Sequence, residues 1–159
     1  MGNAGCCASL RLHFPLRRRC WPGGAGPVLA DGVVQPRHHI TCSWWHGPTG
    51  IAKGTPWSPK KGEVRGFALV RCSDRLDEAN TAAQIQVLVG TKWKDLGSPT
   101  VSHSTGTRNN DGTYAIYVLD KATMKTGGHK YRTKMTHFGL HGNISTLPTH
   151  YSPTRYLRR

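Results

Sequence analysis

The chain has 159 residues, with 22 Lys and Arg against 8 Asp and Glu and a formal charge of +14. That length holds one domain of ordinary size and a tail. The charge excludes a merely solvated surface, because self-repulsion of this size is normally compensated by a polyanion, nucleic acid before acidic lipid.

The first forty residues carry four arginines before the first acid, Asp31, with Leu and Phe interspersed. Arg-rich, acid-poor and partly amphipathic is the composition of an organellar import segment. Two other readings share it. Met1-Gly2-Asn3-Ala4-Gly5-Cys6-Cys7 resembles an acylation start, although Cys6 stands where that motif wants Ser or Thr. A basic arm that threads into RNA has the same composition. Residues 1–42 are therefore read as a basic, irregular leader. Residues 43–62, crowded with Trp, Gly and Pro, are read as an extended approach whose Trp44, Trp45 and Trp57 face RNA or neighbouring proteins, with core packing an equal alternative for Trp57.

From residue 63 to 159 the texture is that of short strands. Val64–Cys72 is one run. In Ala83–Val89, Ile85, Val87 and Val89 fall on one face, and Gln84 and Gln86 on the other. Thr113–Leu119 is apolar on both faces, as in a central strand. Lys130–Phe138 alternates more loosely, and a last run lies near Ile144–Tyr151. Asp111-Gly112 and Gly127-Gly128 are turn signals. The early acids of 74–83 suggest a turn or two of helix. Five short strands with glycine-rich connections predict an all-β fold, a small OB-like barrel.

Catalytic chemistry has little to stand on. In the last sixty residues the carboxylates are Asp111 and Asp120, each where a turn is expected. No nucleophile elbow or phosphate loop occurs. His137 and His141 have i, i+4 spacing, but THFGLHGN reads as strand and turn, where that spacing does not suit zinc. The five cysteines (Cys6, Cys7, Cys20, Cys42, Cys72) are odd in number and contain no Cys-x-x-Cys, so neither a disulfide framework nor a zinc ribbon is expected and a reducing compartment is inferred. The expectation is a non-enzyme with no cofactor and no metal.

Two donor clusters are more informative. In Arg108-Asn109-Asn110, guanidinium and amides can bond phosphate, ribose and base edges together. In Gly127-Gly128-His129-Lys130-Tyr131-Arg132, glycines admit close backbone approach to a phosphate. His129, Lys130 and Arg132 add charge, and Tyr131 offers a stacking ring. Arg108, Asn109, Asn110, Gly112, Gly127, Gly128, His129, Lys130 and Phe138, in this order, resemble the N-terminal, OB-like RNA-binding half of the universal large-subunit ribosomal protein L-two family. Tyr151-Ser152-Pro153-Thr154-Arg155 is similar to that family's Tyr-Asp-Pro-Asn-Arg segment. The similarity covers residues 105–155. This chain differs in a longer segment between Gly112 and Gly127, in Asp120 where the family is basic, and in Ser152 and Thr154.

The resemblance implies a structural constituent of the large ribosomal subunit that grips folded rRNA through two loops, with Lys134, Arg155, Arg158 and Arg159 extending the positive face. The family continues into a second, SH3-like barrel with the histidine associated with peptidyl transfer, and no catalytic-centre role carries over. A split protein, its C-terminal half a separate chain, is expected as a partner alongside rRNA and neighbouring ribosomal proteins, with no membrane. The leader points to a mitochondrial ribosome, ahead of plastid or cytoplasm. Two other functions remain open: an accessory subunit of an organellar membrane complex, and an OB-type RNA-processing factor.

Overall fold

The computed structural model describes residues 39–45 and 54–159, all within one compact unit, Pro36–Arg159. Most of the expected leader and part of the Trp-rich approach lie outside the described residues. The fold is all-β and barrel-like, as the strand pattern predicts. Among the described residues ten strands run in the order β1 (Cys42–Trp44), β2 (Glu63–Cys72), β3 (Glu78–Val89), β4 (Lys92–Asp95), β5 (Thr100–Ser102), β6 (Thr107–Arg108), β7 (Tyr114–Thr123), β8 (Gly128–His141), β9 (Asn143–Tyr151) and β10 (Arg155–Arg158). Among the described residues no helix is long and apolar enough to cross a membrane.

Two antiparallel sheets hold these strands. One has the order β1-β2-β7-β6; the other is built on β10-β8-β3-β4, with β5 added to β3 and β9 to β8. Period-two alternation decides which side chains face inward. Along β2, Val64, Gly66, Ala68, Val70 and Cys72 are buried, while Glu63, Arg65, Phe67, Leu69 and Arg71 are only partly covered. Along β8 the inward set is Tyr131, Thr133, Met135, His137 and Gly139. Among the described residues the core has two apolar clusters. One gathers Ile40, Val70, Leu76, Ile116, Val118 and Met135; the other gathers Val64, Ile85, Val87, Met124 and Tyr131.

The sheets approach closely where β2 crosses β8. A Cβ built on Gly66 would lie 2.2 Å from Thr133 Oγ1. That hydroxyl donates to the Gly54 carbonyl at 2.6 Å. Glycine at 66 is therefore a packing requirement.

Three expectations are corrected. The helical turns at 74–83 do not form: β3 begins at Glu78 and pairs with β8 in register from Glu78↔Leu140 to Val87↔Tyr131. The alternating Ala79, Thr81, Ala83, Ile85 outweighs the helix-like acids, because ladder bonds and one buried face are gained together. Asp120 is not at a turn. It lies inside β7, 1% exposed, where its carboxylate accepts the Ile85 N–H at 2.7 Å and the Thr100 hydroxyl at 2.8 Å. Burial raises its pKa, and these bonds oppose the rise. β7 is also not apolar and covered on both faces, since Tyr117 is 53% exposed.

The cysteine expectation is overturned as well. Ser73 N–H donates to Thr41 O, and Trp45 N–H to Leu69 O, which makes 41↔73 and 45↔69 the hydrogen-bonded pairs of the β1–β2 ladder. Cys42↔Cys72 therefore falls in the narrow, non-hydrogen-bonded pair, where facing side chains stand closest. The two are joined in a disulfide across 30 residues. Such bonds belong to oxidising compartments. Sequence spacing could not show this, because the closeness comes from strand register.

Candidate nucleic-acid interface

The two donor clusters do not converge. The Asn109 turn precedes the start of β7 and the Gly127 turn follows its end. β7 pairs with β2 without a break from Tyr114↔Cys72 to Thr123↔Glu63. Ten residues of strand at ~3.3 Å each put the turns roughly 30 Å apart. A clasp closing on one site from both loops is thus excluded by the strand that joins them.

Several donors are also used within the chain. Asn109 Nδ2 donates to Thr113 Oγ1 at 3.0 Å, and Asn109 N–H to Thr113 O at 2.7 Å. Asp111, which pairs with Arg71, also accepts from Thr113 N–H. The Arg108–Thr113 turn is therefore closed by its own bonds, with Arg108 and Asn110 left exposed.

In the second cluster Tyr131 is 0% exposed and its hydroxyl accepts the Lys125 N–H at 3.1 Å, so it stacks on no base. Its place in the inward series of β8 is the reason. Gly127 has φ 88° and makes the turn. Gly128 leaves room for Tyr156, whose hydroxyl stands where a Cβ would be. That ring covers the backbone expected to meet a phosphate. The His129 ring bonds the Thr126 carbonyl at 3.0 Å through Nε2. Arg132 is held too: Nε donates to Gln86 Oε1 at 2.8 Å, and the guanidinium stacks on Trp93 at 4.3 Å and Tyr151 at 4.0 Å. Lys134 is half-buried beside Gln84 and Asp95 in a recess of about 200 Å³. Lys130, Arg155, Arg158 and Arg159 are exposed, with Arg159 anchored by its N–H to Gly127 O.

The tryptophans pack on their own chain. Trp44 stacks on His150 at 6.1 Å and donates through Nε1 to Pro148 O. Arg71 lies 5.4 Å over Trp45, and Trp57 meets Phe67 edge-on at 6.1 Å. The sheet thus recruits residues from the expected approach.

Strand register produces a different site. The start of β2, end of β7, start of β8, β10 and β4 all lie at one pole, through the pairs Glu63↔Thr123, Leu157↔His129 and Val89↔Lys92. That pole collects Lys60, Lys61, Lys92, Lys94, Lys121 and Lys125 from loops and strand ends. Lys130, Arg155, Arg158 and Arg159 join them. Among the described residues Glu63 and Asp95 are its acids, and both are engaged. Glu63 bonds Arg65 at 2.5 Å and Lys60 at 3.2 Å, and the Arg65 bond holds its carboxyl below the usual range. Asp95 accepts from Gln86 Nε2 at 2.7 Å. The opposite pole mixes Arg71, Arg75 and Arg108 with Asp74, Asp77, Glu78 and Asp111. There His141 lies 3.2 Å from Asp77.

An open cleft of about 630 Å³ runs into the basic pole between the β2 start, the β7 end and the Leu96–Ser98 loop, lined by Lys60, Lys61 and Lys121. Lys61 and Lys121 have no acid partner among the described residues. Of this surface the sequence identified Lys130, Arg155, Arg158 and Arg159. It missed Lys60, Lys61, Lys92, Lys94, Lys121 and Lys125, which come from three separate stretches of the chain and meet only through register.

No family model matches the chain, and no curated protein matches it. Among solved structures it is similar to a protein from Archaeoglobus fulgidus, with 6% identity over 76% of this chain and 95% of that one and a TM-score of 0.30, a likeness too loose to carry an argument.

Proposed function

We propose that this chain is a non-catalytic module that binds a polyanion, RNA foremost, through its basic pole. One observation carries the reading: the register gathers ten cations from five chain segments at one end of the barrel, while most of the described acids lie at the other. Such polarity raises the local concentration of a polyanion and orients the bound molecule. Affinity then comes from phosphate neutralisation, and the cleft beside Lys61 and Lys121 supplies the shape that fixes register. The resemblance in residues 105–155 narrows the RNA to large-subunit rRNA, and the Arg-rich, acid-poor composition of the leader points to that of an organellar ribosome.

The test is binding of a folded large-subunit rRNA fragment by fluorescence anisotropy between 50 and 200 mM salt, with sedimentation of the chain with ribosomal particles. The reading expects a steep loss of affinity with salt and release on nuclease treatment. Salt-independent binding, or none, rejects it.

A second reading is favoured by the Cys42–Cys72 disulfide, which suits an oxidising compartment. The polyanion there is an acidic extracellular glycan rather than RNA. A sulfated glycan that binds more tightly than rRNA at 150 mM salt selects this reading, and the reverse order selects the first.

A further inference from the structure

A second cluster lies away from the basic pole, where β1 and β2 meet the far half of β8. The sulfurs of Cys42 and Cys72 and a ring nitrogen of His137 lie within 4.8 Å of one another. Cys72 is 2% exposed and His137 3%. His137 Nδ1 is hydrogen-bonded to Thr81 Oγ1 at 2.7 Å, and Nε2 has no hydrogen-bond partner among the described residues. A buried polar atom with nothing to bond bears its full desolvation cost, so its persistence calls for a reason.

Donors at about 2.0–2.3 Å from a shared ion stand no more than about 4.6 Å apart, close to the spread of this cluster. In the tautomer whose Nδ1–H donates to Thr81 Oγ1, the lone pair lies on Nε2, the arrangement that outer-shell partners of metal-bound histidines impose. Trp44, edge-on at 6.4 Å from the ring, adds an apolar wall.

We propose that Cys42, Cys72 and His137 form a thiol-gated metal site, which takes a thiophilic d10 cation, Cu(I) first, once the disulfide is reduced. A dithiol reductant delivers two electrons and two protons to the S–S bond, yielding two thiols and its own disulfide. The cation then displaces both thiol protons to solvent and accepts electron pairs from two thiolates and one imidazole. Two soft sulfurs with one nitrogen complete a trigonal Cu(I) shell, whereas Zn(II) takes a fourth ligand. The site is thus a strand staple when oxidised and a metal centre when reduced.

The test uses the full chain with Cys6, Cys7 and Cys20 changed to Ser, reduced anaerobically and desalted. Cu(I) is titrated against bicinchoninate while the near-ultraviolet thiolate-to-copper band is followed. One equivalent is expected in the reduced chain and none in the oxidised chain. Cys42→Ser and Cys72→Ser abolish uptake, and His137→Gln weakens it at least tenfold. X-ray absorption of the loaded chain with His137 intact, expected to show two sulfurs and one nitrogen, decides the ligand set even if His137→Gln misfolds. No stoichiometric uptake, uptake unchanged in Cys42→Ser, preference for Zn(II), or a sulfur-only shell overturns the proposal.

Discussion

Replacing Gly66 by Ala tests the contact that sets the spacing between the sheets. The added methyl would lie 2.2 Å from Thr133 Oγ1 and 3.3 Å from its Cβ and Cγ2, so the hydroxyl must move. It cannot move freely, because it donates to the Gly54 carbonyl at 2.6 Å. Nor can Gly54 yield, since a Cβ there would stand 2.3 Å from the Phe67 carbonyl. Overpacking of this kind costs about 1–3 kcal/mol. A Gly54 carbonyl left without its donor adds about 1–3 kcal/mol. With partial relaxation, Gly66→Ala is expected to destabilise the chain by about 2–4 kcal/mol. Urea unfolding followed by tryptophan fluorescence measures this. Thr133→Ala removes the obstructing atom, so the double variant Gly66→Ala/Thr133→Ala should be no less stable than Thr133→Ala alone, a coupling of about 2–4 kcal/mol, the whole cost of Gly66→Ala. A Gly66→Ala chain within about 0.5 kcal/mol of wild type, or additive double-variant energies, refutes the account of the interface.

Reducing Cys42–Cys72, which closes a 30-residue separation, should lower unfolding free energy by about 3–4 kcal/mol on loop-closure grounds. The Cys42→Ser/Cys72→Ser variant should match the reduced chain and ignore reductant; a wild-type chain insensitive to reductant contradicts the bond. In the oxidised chain His137 has a folded pKa of about 4, below its unfolded value of 6.5, so the folded state binds fewer protons across that window. Stability therefore falls as pH drops from 6.5 towards 4, by about 3 kcal/mol at pH 4. Protonation of Asp120, whose folded pKa is raised, opposes part of this loss. His137→Gln should flatten the acid limb of a urea-midpoint profile, and an unchanged limb counts against a neutral buried ring.

The strand content was legible because period-two alternation is a local signal. It marked Val64–Cys72 and Lys130–Phe138 close to their observed extents. Tyr131 was legible by the same rule: in step with Thr133 and Met135 it belongs inside, whatever its chemistry suggests for RNA. The acids before Glu78 misled because helix starts and polar strand entries look alike over one turn. The gathering of Lys61, Lys92, Lys121 and Arg158 was not legible, since pairing partners are chosen by tertiary packing across wide sequence separations. The Cys42–Cys72 bond and the burial of Asp120 were hidden for the same reason. The glycine pair at Gly127-Gly128 was correctly read as a turn, but the second glycine serves Tyr156 rather than a phosphate.

The central claim is that one pole of the barrel carries the binding. It is tested most directly by comparing two charge-reversed chains for affinity to the same rRNA fragment at 150 mM salt. One carries Lys61→Glu, Lys121→Glu and Lys130→Glu at the basic pole; the other carries Arg75→Glu and Arg108→Glu at the opposite pole. The first is expected to lose at least a hundredfold in affinity, with the salt slope shallower by about two to three, while the second stays within about threefold of wild type. Equal losses in both chains, or a larger loss in the second, contradict the account.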